Sequence, residues 1–165
     1  MPNQKFAATA FSDHDHKYCR GSVLGKADQL SKSGALRFTP VRRRTLEILL
    51  EEHRALGAYE VLEQLAKDGF GKQPPVAYRA LDFLVENGFA HRIRRLNAFT
   101  ACQHPAEIHS PAFFICTDCG AVAEVHERDV RDALQQAADR IGFSIKRMNM
   151  EIAGICPTCQ AVANQ

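Results

Sequence analysis

Two Cys-x-x-Cys pairs are the residues whose types and spacing point most directly to chemistry in this 165-residue chain. The first pair is Cys116 and Cys119, and the second is Cys156 and Cys159. A single pair could be a thioredoxin-like redox motif, but two pairs that flank a predicted strand, helix and strand are typical of a structural zinc held by four thiolates. Gly120 after the first pair allows the tight turn that aims both sulfurs at one ion. The sequence therefore predicts a tetrahedral zinc site.

A second set of metal donors is scattered along the chain, at the borders of predicted elements. His91 starts a predicted hairpin and Cys102 ends it, whereas His109 lies in a polar segment and Glu124 closes a later strand. A metal ion bound by all four would tie two domains together. Each residue alone could equally be a linker or surface side chain.

A third group of donors lies near the start of the chain. His14, His16 and Cys19 follow one another in the order His-x-His-x-x-Cys. They could form a weak extra metal site, although a flexible arm must lose conformational entropy to bind. The alternative is a disordered tail with incidental donors.

The elements that would position these donors begin after a polar, aperiodic arm over residues 1–25. Pro40, Ala58 and Pro74 start three predicted helices, and glycines at 69 and 88 end the second and third. The pattern then changes to two short strands, His91–Arg95 and Ala98–Cys102, joined by a tight turn. Three helices followed by a hairpin predict a winged-helix domain over residues 26–102.

A winged helix can place its third helix in the major groove of DNA, while the hairpin and helix ends touch the backbone. Residues 1–98 carry 16 Lys/Arg against 11 Asp/Glu, and residues 99–165 carry 5 against 8, so only the first part is basic. Candidate phosphate contacts are Arg42, Arg43, Arg44, Arg92, Arg94 and Arg95, and candidates for base edges or sugars are Tyr59, Tyr78 and Arg79. The same arginines could instead form a solvated face.

A hinge over residues 103–111, with two prolines, is predicted to connect the winged helix to a second domain over residues 112–165. This second domain is predicted to contain strands Phe113–Ile115 and Ala121–Val125, a helix from Val130 to Ile141, and a strand from Met148 to Ile152. The predicted fold class is α+β. A core this thin would gain support from zinc and from a partner subunit.

These residues and their order resemble the ferric uptake regulator (Fur) family, and most closely its zinc uptake regulator (Zur) branch. The resemblance extends from about Leu36 to Cys159. Its motifs are Arg37-Phe38-Thr39-Pro40-Val41-Arg42, Gly57-Ala58-Tyr59-Glu60, Pro74-Pro75-Val76-Ala77-Tyr78-Arg79-Ala80-Leu81-Asp82-Phe83-Leu84, Gly88-Phe89-Ala90-His91 and the two cysteine pairs. Val76-Ala77 is a small departure, because the family more often has Thr-Val before its Tyr-Arg.

The resemblance implies a homodimeric winged-helix repressor in which a regulatory metal at the hinge sets the angle between two DNA-binding heads. It implies a structural zinc on the four cysteines and a regulatory zinc on His91, Cys102, His109 and Glu124. Tyr59 and Arg79 match positions associated with DNA contact. The third, His-rich site of the family has no clear counterpart, because the expected cluster is reduced to His104 and His109.

The donor types favour one metal over others. Iron and manganese sensors of the family use His and carboxylates, whereas Cys102 would supply a thiolate, which favours zinc. The sequence thus predicts a cytoplasmic, zinc-responsive repressor of zinc uptake genes that binds two Zn²⁺ per chain. The alternatives are a sensor of another metal or of peroxide with the same fold, or a zinc-dependent enzyme. We expect no enzyme, because four ligands leave no open position and no His-Glu-x-x-His arrangement is present.

Secretion and membrane insertion are not expected. The first ten residues lack the charged head and apolar stretch of a secretion signal, and no apolar run approaches the roughly 18 residues of a membrane span. Cysteines in a reducing compartment serve metal binding or redox chemistry more often than disulfides.

Overall fold

The computed structural model describes residues 11, 16–51, 54–105, 109–126 and 128–163, and in the first helix it describes side chains from residue 20 onward. These residues fall into two compact units. The N-terminal unit lies within Asp13–Glu107 and the C-terminal unit within Ile108–Gln165. The boundary between them falls inside the hinge predicted for residues 103–111. No helix in the described ranges is both long and apolar enough to cross a membrane.

Four helices form most of the N-terminal unit. They are α1 (His16–Lys32), α2 (Pro40–Glu51), α3 (Ala58–Lys67) and α4 (Pro74–Glu86). Pro40 opens α2 as predicted, and the Arg42 backbone N–H donates to Thr39 Oγ1 at 3.4 Å, which caps the helix. Pro74 opens α4 in the same way, because proline in a first turn sacrifices no helical hydrogen bond.

Helix α1 corrects the prediction of a loose arm over residues 1–25. The helix begins at His16, and Val23 and Ala27 on its inner face are each only 1% exposed. The core of the N-terminal unit therefore includes Val23, which lies within the predicted arm. In the part of α1 whose side chains are described, the buried positions are one valine and one alanine, so the helical period is faint in the sequence.

The hairpin predicted after the third helix of the winged helix is present. It consists of β2 (Ala90–Ile93) and β3 (Ala98–Ala101), which pair antiparallel with His91 opposite Thr100. Asn97 adopts a positive φ of 48° in the connecting turn, a conformation that asparagine tolerates better than most residues. A two-residue strand that was not predicted, β1 (Leu56–Gly57), pairs with β3 and completes the order β1-β3-β2.

A single hydrophobic core joins the helices to this small sheet. Leu46, Val61, Leu65, Leu81 and Leu84 from α2, α3 and α4 are fully buried together with Phe89. Phe38 lies edge-on against Phe83 of α4, with ring centroids 5.3 Å apart, and against Phe89 at 5.0 Å. Helix α4 is held by its buried leucines and by the contact between Phe38 and Phe83. Its exposed face therefore has a defined position relative to the hairpin.

The C-terminal unit is built around a second three-stranded sheet. Its elements are β4 (Ala112–Cys116), β5 (Val122–Val125), α5 (Arg128–Arg140), β6 (Met150–Gly154) and α6 (Pro157–Ala163). The central strand β4 pairs antiparallel with β5 and parallel with β6. The last strand starts two residues later than the predicted Met148, and α6 was not predicted.

Candidate metal centres and basic surface

The four predicted zinc cysteines lie together in the C-terminal unit. The sulfurs of Cys116, Cys119, Cys156 and Cys159 are all within 4.8 Å of one another, and Cys119 Sγ is 3.8 Å from Cys156 Sγ. A tetrahedral zinc with Zn–S bonds of about 2.3 Å places its sulfurs about 3.8 Å apart. The donor set and spacing therefore fit a structural zinc that the four thiolates enclose.

Strand ends and tight turns create this cluster. Cys116 ends β4, and the chain reverses through Gly120, whose φ is 73° and whose N–H donates to the Cys116 carbonyl at 3.1 Å. The Thr117 N–H donates to the Gly154 carbonyl at 2.8 Å, which links the first pair to the end of β6. Cys159 lies in the first turn of α6. The second cysteine pair therefore begins a helix and does not repeat the tight turn that follows Cys116.

Backbone N–H groups prepare the cluster for negative charge. N–H donors of Cys119 and Cys156 lower the pKa of the Cys116 thiol to about 6, and the Cys156 N–H lies 3.3 Å from its sulfur. Sulfur contacts with Cys156 and Cys119 raise the pKa of Cys159. One thiolate thus forms readily and disfavours ionisation of its neighbours, and a divalent cation removes that repulsion when it replaces the thiol protons.

Two predicted regulatory donors lie close together in the C-terminal unit. His109 Nε2 is 3.2 Å from Glu124 Oε1, and the Glu124 side chain is only 3% exposed. His126 Nε2 is 3.1 Å from the same oxygen, and its ring centroid is 4.8 Å from that of His109. Sequence reasoning missed His126. A signal was present, because residues two apart on a strand face the same side and His126 follows Glu124 by two at the end of β5.

The other two predicted regulatory donors lie in the N-terminal unit. His91 is on β2, and Cys102 follows β3, where its backbone N–H donates to the Phe89 carbonyl at 2.9 Å. A ring nitrogen of His91 and the Cys102 sulfur lie within 4.8 Å of each other. Cys102 is fully buried, so the hairpin holds an imidazole and a shielded thiol side by side.

The third predicted donor group cannot be placed. His14 lies outside the described residues. His16 and Cys19 belong to the first turns of α1, but their side chains also lie outside the description.

The residues predicted to touch DNA bases lie on exposed parts of the N-terminal unit. Tyr59, near the start of α3, is 67% exposed, and Tyr78 on α4 is 40% exposed. Arg79, next along α4, is also exposed. The buried face of α4 holds alanines and leucines, so Tyr78 and Arg79 are on the side that is available to a partner.

The three consecutive arginines of α2 make contacts inside the N-terminal unit. Arg42 donates to the Arg37 carbonyl at 2.6 Å, and its guanidinium lies 3.7 Å from the centre of the Phe83 ring. Arg43 pairs with Asp28 of α1 and with Glu47.

Arg44 has three carboxylate partners, Glu47 at 3.5 Å, Glu51 at 2.8 Å and Asp68 at 2.6 Å. Hydrogen bonds to Asp68 and Glu51 raise its pKa. Acidic neighbours therefore offset much of the local positive charge of Arg43 and Arg44, which the sequence did not reveal.

Comparisons with known proteins find relatives over most of the chain. Residues 33–153 match the model of the ferric uptake regulator family. The zinc uptake regulation protein of Escherichia coli (strain K12) is 33% identical over 141 residues, which are 85% of this chain and 82% of that protein.

Solved structures with a similar fold include two zinc uptake regulators. A zinc uptake regulator complexed with zinc and DNA has a TM-score of 0.81 at 31% identity, covering 93% of this chain and 100% of that one. The holo form of XcZur has a TM-score of 0.76 at 35% identity, covering 86% of this chain and 99% of the other.

The cysteine cluster leads to a prediction about folding. Cys156→Ser removes a buried ligand, so we expect the protein to lose its tightly bound zinc and the C-terminal unit to unfold at a lower temperature, since structural zinc contributes directly to folding. Metal analysis after gel filtration and thermal denaturation followed by circular dichroism measure both effects. Thr158→Ser changes an exposed neighbour in the same turn and should alter neither. Unchanged zinc content in the Cys156→Ser protein would contradict the assignment.

Proposed function

Because the chain belongs to the ferric uptake regulator family, we propose that it is a zinc-responsive transcriptional repressor that controls zinc uptake genes. Zinc acts as the co-repressor of a homodimer that binds double-stranded operator DNA in the cytoplasm. The observation that carries this proposal is the buried Cys102 thiol beside His91 in the winged-helix unit. A thiolate with imidazoles selects zinc over iron or manganese, which prefer oxygen-rich sites.

Each chain holds two zinc ions in this proposal, one structural and one regulatory. The four cysteines hold the structural ion. His91 and Cys102 from the N-terminal unit and His109 and Glu124 from the C-terminal unit hold the regulatory ion. The closeness of the two donors within each unit supports this ligand set. Four protein ligands also fill a tetrahedral ion, so no position is left for the water that a zinc enzyme requires.

Dimerisation is supported by apolar side chains that the C-terminal unit leaves exposed. Helix α5 buries only Ala138, while Val130 and Leu134 on it are 46% and 42% exposed. On the sheet, Phe114 and its register partner Ile152 are 38% and 39% exposed. An apolar patch of this kind marks an interaction surface, and in a family of dimers the second copy is its occupant.

The zinc acts by selecting a geometry of the two heads. A dimer binds an operator only when both recognition helices reach the major groove at the spacing of the half-sites. An ion held by donors from both units of a chain favours one arrangement of head and dimerisation unit. The ion changes DNA affinity only through its preference for that arrangement, and each tenfold gain requires about 1.4 kcal/mol of coupling.

DNA recognition is divided between two kinds of residue in this proposal. Tyr59, Tyr78 and Arg79 supply base and sugar contacts from the exposed side of the N-terminal unit. Arginines of the hairpin and of α2 supply phosphate contacts. Among Arg42, Arg43 and Arg44, the last contributes least, because three carboxylates already engage it.

The exposed apolar face of α5 yields a prediction about assembly. Leu134→Glu places a charge in the dimer interface, so the dimer dissociation constant should rise by roughly 30-fold or more, as for an interface residue worth about 2 kcal/mol. Analytical ultracentrifugation measures this change. Gln136→Glu adds the same charge on the opposite side of α5 and should leave the dimer intact. Equal dissociation constants for the two variants would reject this face as the interface.

Arg79 is predicted to carry sequence information. Arg79→Ala should weaken binding to an operator by about 1–3 kcal/mol while changing affinity for random DNA much less, because only base contacts distinguish sequences. Arg95→Ala, on the exposed turn of the hairpin, should weaken both and reduce the salt dependence of binding. Fluorescence anisotropy with both DNAs at several salt concentrations gives the comparison. Equal losses on the two DNAs for Arg79→Ala would refute a role in base recognition.

Cys102 provides the direct test of the zinc response. Cys102→Ser should give a folded dimer that retains its cysteine-cluster zinc but whose operator affinity no longer rises when zinc is added. Thr100→Ser, a small change on the adjacent strand position opposite His91, should respond like the unaltered protein. Anisotropy titrations at buffered free zinc concentrations separate the two. A full zinc response in the Cys102→Ser protein would place the regulatory ion elsewhere.

A further inference from the structure

The C-terminal unit places a third possible metal donor, His126, beside the two proposed regulatory donors His109 and Glu124. His109, Glu124 and His126 all belong to this unit, and both histidines direct Nε2 toward the same carboxylate oxygen, Glu124 Oε1. The proposed four-ligand site includes His109 and Glu124 but has no position for His126.

The distances are compatible with a cation shared by these three side chains. Charge-assisted N–H···O bonds are usually about 2.7–2.9 Å long. Two ligands of a tetrahedral zinc, with Zn–N and Zn–O bonds of about 2.0–2.1 Å, lie about 3.3 Å apart. The observed separations of 3.2 Å for His109 and 3.1 Å for His126 lie at the long end of hydrogen-bond lengths and close to the separation of two zinc ligands.

Burial supports the same interpretation. The Glu124 side chain is 3% exposed, and a buried carboxylate requires a positive charge or strong donors around it. His126 remains 31% exposed, so an ion can reach this group from solvent. Two imidazoles and one carboxylate form a donor set that suits zinc, and three protein ligands leave one coordination position for water.

We propose that His109, Glu124 and His126 form a zinc-entry site that the C-terminal unit holds by itself, and that His126 leaves the ion when His91 and Cys102 complete the regulatory site. This inference rests on the proposed function. A tetrahedral ion accepts four ligands, so the arrival of His91 and Cys102 at an ion bound by His109 and Glu124 displaces both the water and His126.

The entry site changes how strongly zinc binding is coupled to DNA affinity. Zinc favours the DNA-binding arrangement only by the difference between its affinities for the completed site and for the entry site. A strong entry site raises zinc capture but reduces the coupling to DNA. His126 therefore adjusts how much of the zinc-binding free energy reaches the DNA-binding heads.

The test uses the full-length dimer with its cysteine cluster loaded with zinc and with both N-terminal donors removed by His91→Ala and Cys102→Ala. We expect this double variant to bind a second ion more weakly than the unaltered protein. Co²⁺ in that site should show d–d absorption without a new thiolate charge-transfer band. Adding His126→Ala should lower Zn²⁺ affinity by more than about 100-fold, since loss of a direct ligand exceeds the 10–100-fold cost of losing an outer hydrogen bond.

Three results would overturn the proposal: no second ion bound by the double variant, a smaller or absent effect of His126→Ala, or an equal loss caused by the control Gln135→Ala, an exposed position of α5 that contacts Asp139, in the same background. Circular dichroism and retained cysteine-cluster zinc establish that each protein is folded. If the double variant unfolds, His91→Asn with Cys102→Val replaces it, because a buried thiol tolerates an apolar substitute. If only the entry site is wrong, the operator affinity of the unaltered dimer still rises when zinc is added. If the proposed function is wrong, the operator affinity of the unaltered dimer does not respond to zinc.

Discussion

The four-sulfur cluster is the interaction on which the C-terminal unit depends. The ends of β4 and β6, the Gly120 turn and the start of α6 meet at these sulfurs, and apolar packing offers little in their place. Helix α5 buries one alanine, and the outer positions of the sheet remain partly exposed. A divalent cation that neutralises several thiolates at once therefore supplies cohesion that a small core cannot provide. The same shortage of buried surface leaves α5 and β6 available to a second copy.

The N-terminal unit is stabilised mainly by apolar packing. Its helices close around a continuous apolar core that extends from Val23 to Ala101 and requires no metal. Ion pairs of Arg43 with Asp28 and of Arg44 with Asp68 link α2 to its neighbours at the surface. In the proposed function this unit presents α4 to DNA without changing shape, and zinc controls where the unit is held. The proposed regulatory ion, with ligands from both units, would suit that task because its coordination geometry is strict.

In the proposed regulatory site, high zinc affinity competes with zinc control of DNA binding. An ion that bound equally well before and after the heads were arranged would stabilise the protein without changing its DNA affinity. In the proposed regulatory site the Cys102 thiolate comes from the N-terminal unit, so its contribution would be gained only when the site is complete. His126 belongs to the C-terminal unit, so its contribution is available earlier and is lost on completion. The zinc response of this protein would thus be set by the balance between these two side chains.

Local pattern was sufficient to determine the cysteine pairs, the helix starts at Pro40 and Pro74 and the hairpin turn at Asn97, because a turn or a cap depends on residues adjacent in the chain. The family resemblance implied His91, Cys102, His109 and Glu124 as a set, which spacing alone left open. Only the tertiary structure decided the features that depend on distant partners. Strand β1 exists through pairing with β3, and α1 is stabilised by burying Val23 and Ala27. His126 contacts the same carboxylate oxygen of Glu124 as His109 does. Arg44 is surrounded by carboxylates that reduce its local positive charge. The period of a strand relates His126 to Glu124, but the other partners in these contacts are distant in the chain and are brought together only when it has folded.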